Sequence, residues 1–189
     1  MTPPRRLVAV TAAVTGLALL AAACGNTTGL PAAVFTNVVD TVSLYALRGT
    51  AIALPSAYSM QDRTAVRTDT TVNLDFAFDF DSLGRARLFP TAALHLGTSS
   101  GLQPTSTPFA AITSALTSGY IVDTAVTLDT GKVFYAMSRP VTCVVTSALP
   151  LYGKLHVLTI DTVARRVDFE ILVDQNCAYR GLAPGLPQQ

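Results

Sequence analysis

Apolar and polar side chains alternate between residues 72 and 80: Leu74, Phe76, Phe78 and Phe80 share one parity, and Asn73, Asp75, Ala77 and Asp79 share the other. Successive residues of a strand point to opposite faces, so this stretch predicts a β-strand with an aromatic core face. Its carboxylates are expected to face water or a ligand. Asp81-Ser82-Leu83-Gly84-Arg85 then predicts a turn into a returning strand over 86–89, which Pro90 interrupts. The same device recurs at Asp129-Thr130-Gly131-Lys132 and at Asp161-Thr162-Val163-Ala164-Arg165. In both, Asp and Thr can bond the amides of a tight turn and a cation follows to neutralise the Asp. The spacings between these turns differ, so they predict hairpins and not a solenoid repeat.

Further strands are predicted over 120–128, 133–137, 141–146, 154–160 and 167–173. Residues 34–47 are rich in Val, Thr and Tyr and precede the turn Arg48-Gly49-Thr50, which predicts a first hairpin returning over 51–54. Thr107-Pro108, followed by Phe109, Ile112 and Leu116 with Gly119 beyond, has the cap, spacing and stop of one short helix near 108–118. Residues 97–107 are dominated by Ser, Thr, Gly and Pro and read as a long loop. The resulting fold class is all-β, mainly antiparallel, sandwich-like or an irregular two-sheet arrangement.

The N-terminus has a different pattern. Arg5 and Arg6 precede an apolar run over 7–20, and Leu20-Ala21-Ala22-Ala23-Cys24 resembles a bacterial lipobox. The run is shorter than the roughly 20 residues of a membrane span, so residues 1–23 read as a lipoprotein signal and Cys24 as the lipid-attachment residue. Residues 24–33 form a tether, 34–183 a single β-rich domain, and 184–189 a disordered tail. Gly25 and Asn26 lack the inner-membrane retention Asp of well-studied lipoproteins, so the expected address is the bacterial cell envelope, anchored in the outer membrane.

Composition narrows the function classes. Without its first 23 residues the 189-residue chain retains 166, enough for one domain with a sizeable core. Charged residues are 13% of the chain, the net charge is +1, and the lysines are Lys132 and Lys154. Nucleic acid, which selects for clustered cations, is therefore not an expected partner. With Cys24 acylated, Cys143 and Cys177 remain as a pair in an oxidising compartment and predict a disulfide. Closing a loop of about 35 residues would contribute roughly 4 kcal/mol on the chain-entropy model.

Catalytic signatures are sparse. Asp79-Phe80-Asp81-Ser82-Leu83-Gly84 opens like a calcium loop, but Leu83 takes a ligand position and Pro90 stands where the bidentate Glu is needed, so a hairpin turn is the reading. Asp75 and Asp79, four residues apart on one strand, would stand about 13 Å apart, too far for a glycosidase pair. His95 and His156 are the two histidines, and neither lies in a local triad or metal motif. No catalytic or metal residues are assigned, and the chain is read as a non-enzyme.

Asn73-Leu74-Asp75-Phe76-Ala77-Phe78, Gly131-Lys132-Val133-Phe134-Tyr135 and Tyr152-Gly153-Lys154-Leu155-His156-Val157 together resemble strands of the HmuY-like family of lipid-anchored, all-β haem-binding proteins. The resemblance spans about residues 70–175. It implies a β fold and makes haem the one nameable cofactor, without assigning its ligands to His95 or His156. Asn73 stands where that family has Trp. The functional expectation is a non-catalytic binding module for a small hydrophobic ligand or an envelope protein, held at the membrane by its lipid anchor. A structural envelope lipoprotein is the alternative, followed by an enzyme.

Overall fold

The computed structural model describes residues 32–97, 99–143 and 148–187, and the folded unit lies within 33–188. In chain order its strands are β1 (Val39–Tyr45), β2 (Ala57–Ser59), β3 (Thr64–Val66), β4 (Phe76–Phe80), β5 (Ala86–Pro90), β6 (Gly101–Thr105), β7 (Val126–Thr127), β8 (Val133–Met137), β9 (Val141–Thr142), β10 (Ala148–Leu149), β11 (Tyr152–Asp161) and β12 (Arg166–Asp174). They form one five-stranded sheet in the order β1-β12-β11-β8-β6 and a second in the order β3-β2-β4-β5-β7, with β9 and β10 as a separate hairpin. Every pairing between them is antiparallel.

One core joins the two sheets. Phe76, Phe78 and Phe80 from β4 pack with Phe134, Leu155, Phe169 and Ile171 from the first sheet, as the aromatic parity of 74–80 predicts. Tyr58 and Phe76 stack at 5.5 Å between ring centroids, and Phe169 meets each of them across the sandwich at 6.1 Å. Aromatic pairs at such distances add to the free energy of burial itself.

The expected disulfide is present: Cys143 and Cys177 are bonded, with 5.8 Å between their Cα atoms. The turn expected at 81–85 also forms, with Asp81 Oδ1 accepting the amides of Leu83 and Arg85 at 2.9 and 3.0 Å. Asp161 Oδ1 does the same for Val163 and Ala164 at 2.9 and 2.8 Å. The turn at 129–132 instead carries the chain from β7 in the second sheet to β8 in the first, so it is a crossover and not a hairpin. Cys24 and the signal lie outside the described residues.

Several expectations are corrected. No helix spans 108–118; a 3-10 turn, Phe109–Ala111, ends at Ile112, which is extended at φ −79° and ψ 113°. The Phe109 carbonyl, which closes this turn by accepting the Ile112 amide at 3.3 Å, also accepts from Lys154 Nζ at 3.0 Å, and the Ile112 carbonyl, which a helix would use internally, accepts from the same Nζ at 2.8 Å. Ala115 and Thr113 then pair their backbones with Arg180 and Leu182 of the C-terminal segment. Tertiary partners thus outcompete a helix whose Ile112, Thr113 and Thr117 are β-branched and mediocre helix formers.

Strand β1 has β12 as its partner and does not return over 51–54. The loop expected over 97–107 contains β6, whose Gly101 lies so close to the crossing chain that a Cβ there would stand 2.6 Å from Tyr120 Cβ. The strand expected over 120–128 shortens to β7. The tail expected to be disordered from 184 is instead paired at Gly185, which exchanges two backbone hydrogen bonds with Asn37 at 2.8 and 3.0 Å.

Candidate functional site

The polar parity of 73–79 gives the largest departure from expectation. Asp75 and Asp79 are both buried and do not form a solvated face. Asp75 sits just before β4, where Oδ2 accepts the Met60 amide at 2.6 Å and Oδ1 accepts the Arg139 amide at 2.7 Å. Arg139 Nη1 lies 3.2 Å from Oδ2, itself nearly buried, and Ser100 Oγ donates to the Asp75 carbonyl. Met60 follows β2 in the second sheet and Arg139 follows β8 in the first, so one carboxylate ties the sheets together. Burial pushes the Asp75 carboxyl upward, against these donors and the Arg139 charge.

Asp79 serves the opposite end of β4. Arg48 Nε donates to Oδ2 at 2.6 Å, Arg165 Nη2 approaches Oδ1 at 3.5 Å, and the Arg165 guanidinium lies 4.9 Å from the centre of the Phe80 ring. Arg165 holds a left-handed φ of 52°, uncommon for a residue with a side chain, and its Nε donates to the Arg48 carbonyl at 2.9 Å. The two aspartates are structural clamps.

The outward face of the first sheet is divided. Toward the chain termini it is covered: Ile112, Ala115 and Leu182 pack on Val133 and Leu172, with Tyr135 and Tyr152 alongside. Lys154 is sealed beneath this layer, 4.6 Å from the centre of the Phe109 ring, and burial lowers its ammonium below the ordinary lysine value.

Beyond Lys154 the face opens. An extra residue between Val157 and Thr159 shifts the register of β11, so that Thr159 stands opposite Asp168 and faces outward with it. Asp168 accepts from Ser43 Oγ at 2.6 Å, Thr159 Oγ1 at 2.7 Å and Arg166 Nη2 at 3.0 Å. Partial burial acts to raise its carboxyl, but these three donors outweigh it and hold Asp168 below the usual range. One row nearer the covered half, His156 Nδ1 lies 2.8 Å from Glu170 Oε1. Thr41 stands beside Glu170 on β1 and is exposed. This pre-ordered set of donors and acceptors suits hydrogen-bonded recognition, and Asp168, already holding three donors, is poorly placed to take a substrate proton.

Comparison with protein-family models, with curated proteins and with solved structures returned no match.

His95 and His156 are not brought together. His95 ends a short turn after β5 that packs through Leu94 on the outer side of the second sheet, with Ala57 and Ala77, whereas His156 faces outward from the first. No single iron or zinc can take both. Among the described residues, no three His, Cys, Asp or Glu side chains converge as a metal site. The polar face was missed because its members come from β1, β11 and β12. Its one sequence signal is the alternation of Arg166, Asp168 and Glu170 with Val167, Phe169 and Ile171.

A third buried carboxyl closes the covered end. Asp174 Oδ1 accepts the Asn176 backbone and side-chain amides at 2.9 and 2.8 Å. Its Oδ2 has no donor, and neither has Asn37 Oδ1. Both amide hydrogens of Asn37 go to the carbonyls of Gly181 and Ala183, so Asn37 does not stabilise a charge on Asp174. Burial raises the Asp174 carboxyl despite Asn176.

Two outcomes follow from these carboxyls. Asp75→Ala strips a buried cation of its partner and should lower unfolding free energy in urea by about 3–5 kcal/mol. For Asp174, the folded carboxyl holds its proton more tightly than the unfolded one, so its contribution to folding is complete below about pH 3.9 and is lost as pH rises through the folded value. Asp174→Asn supplies a neutral donor, so it should stabilise the protein at pH 8 by about 1–3 kcal/mol and by less at pH 4. Urea titrations at the two pH values make the comparison.

Proposed function

We propose that this protein is a lipid-anchored, extracytoplasmic β-sandwich of the bacterial envelope that acts as a non-catalytic binding module. The observation that carries this reading is the position of the open polar face along the first sheet, away from the end at which the chain enters β1. The chain enters β1 at Val39, opposite Leu172, while the Ser43-Thr159-Asp168 cluster lies four residues further along. At about 3.3 Å per residue, the open polar face stands roughly 13 Å beyond the tethered end. A domain held this way presents that face outward from the membrane. Ser43, Thr159 and Arg166 are fixed by Asp168 in advance, which lowers the ordering cost of a partner docking on them.

An envelope protein is the partner this open face suits. In-cell cross-linking followed by mass spectrometry is expected to recover a partner that Thr41→Arg, on the face, abolishes. Leu83→Arg, on an exposed turn of the second sheet, should retain it. Equal recovery from the two variants would remove the face from the reading. Peptide mass analysis should find a diacylated Cys24 as the mature N-terminus, and an unmodified cysteine there would refute the anchor.

The resemblance to the HmuY-like family supports the same lipid-anchored β architecture and names haem as a ligand. Because His95 and His156 lie on opposite sides of the sandwich, histidine ligation of haem here would use one of them alone. Titration with haem would then give a Soret shift that either His95→Ala or His156→Ala abolishes while the other leaves it intact. A shift unaffected by both variants, or no shift, removes histidine-ligated haem.

A further inference from the structure

The tethered end of the sandwich carries an exposed apolar patch. Val34 is 73% exposed, Phe35 51% and Val38 47%, and Leu186, brought alongside by the pairing of Gly185 with Asn37, is 53% exposed. Large apolar side chains left in water singly are common; four gathered where the two termini of the fold meet are not.

Several polar groups of the backbone beneath them are tied inward. The Val34 and Phe35 amides both donate to Asn176 Oδ1, at 2.7 and 2.9 Å, and the Phe35 carbonyl accepts from Asn176 Nδ2 at 2.8 Å. Asn37 exchanges two backbone hydrogen bonds with Gly185. Asn176 is in turn held by Asp174 and adjoins the Cys143–Cys177 disulfide. One fully engaged asparagine thus holds Val34 and Phe35 with both amides and the Phe35 carbonyl already paired, which lowers the cost of placing this stretch in an apolar medium.

We infer that this patch rests in the lipid surface, with Val34, Phe35, Val38 and Leu186 seated at the boundary between headgroups and acyl chains. The inference rests on the anchor reading of Cys24. Nine residues separate Cys24 from Val34, ten Cα–Cα steps, so Val34 is never more than about 36 Å from the acylated cysteine and the patch can lie directly on the bilayer. The adjoining charges, Asp40 and Arg63, neutralise each other at 2.5 Å, so apolar burial and not attraction to anionic lipid drives the contact. The anchor, the patch and the distal polar face then define one orientation: termini down, β11–β12 turn up.

The chain contains no tryptophan, which makes a single introduced indole a clean reporter. The mature lipidated protein carrying Phe35→Trp, reconstituted in phosphatidylethanolamine–phosphatidylglycerol vesicles, should show blue-shifted emission and several-fold stronger quenching by acyl chains brominated near the headgroup than Val163→Trp. Val163, 94% exposed, lies in the turn at the opposite end of the first sheet. Leu186→Trp repeats the test should Phe35→Trp fold poorly. Equal, weak quenching at both ends in protein that still floats with vesicles overturns the patch and leaves the anchor standing. A concentration-dependent blue shift without quenching would mean that a second copy covers the patch, which also overturns it. Protein that neither floats nor carries acyl groups on Cys24 removes the anchor reading and this inference together.

Discussion

The two sheets are held in register by a carboxylate that water does not reach. Asp75 takes amides from the ends of β2 and β8, in different sheets, while its own carbonyl takes the Ser100 hydroxyl. Burying a charge is tolerated only when donors replace its hydration shell, and here the backbone supplies two of them, with Arg139 beside them. Hydrophobic contact alone allows two sheets to slide, because it is non-directional. A carboxylate with fixed donors from both sheets does not, and the stacking of Tyr58 on Phe76 against Phe169 follows from the alignment it enforces.

Asp79 repeats the device at the other end, with arginine side chains added to the Phe80 and Arg48 amides. The two ends consequently differ. At the Asp79 end the side-chain donors come from Arg48, which is mostly exposed, and from Arg165 in a strained turn. At the Asp75 end, Asp174, Asn37, Asn176 and the disulfide gather both termini of the fold. The end where the two termini of the fold meet is the more extensively cross-linked one. It carries the apolar patch, while the hydrogen-bonding face lies away from it, and this polarity gives the sandwich its proposed role.

Lys154 shows how the covered half of the first sheet came to lack its expected helix. A buried ammonium must find acceptors, and the carbonyls at hand were those of Phe109 and Ile112. Once they are taken, the segment continues in extended form against the C-terminal chain, and its apolar residues at helical spacing are buried in a different geometry.

Much of the strand content was legible because period-two alternation is a local property: the aromatics at 76, 78 and 80, strand β8, the cores of β11 and β12, and the Asp-anchored turns at 81 and 161 all stand where the pattern put them. The pairing of Cys143 with Cys177 was legible by counting. What the pattern could not decide is what lies against a strand's second face. Alternation marks Asp75 and Asp79 as opposite to the aromatics, and whether that side meets water depends on Arg48, Arg139 and Arg165, up to 86 residues away along the chain. The partner of β1, the strand β6 within a Ser- and Gly-rich stretch, the pairing of Gly185 with Asn37 and the assembly of Ser43, Thr159 and Asp168 share that dependence. Local sequence sets which way a side chain points; only the closed sandwich determines what it meets there.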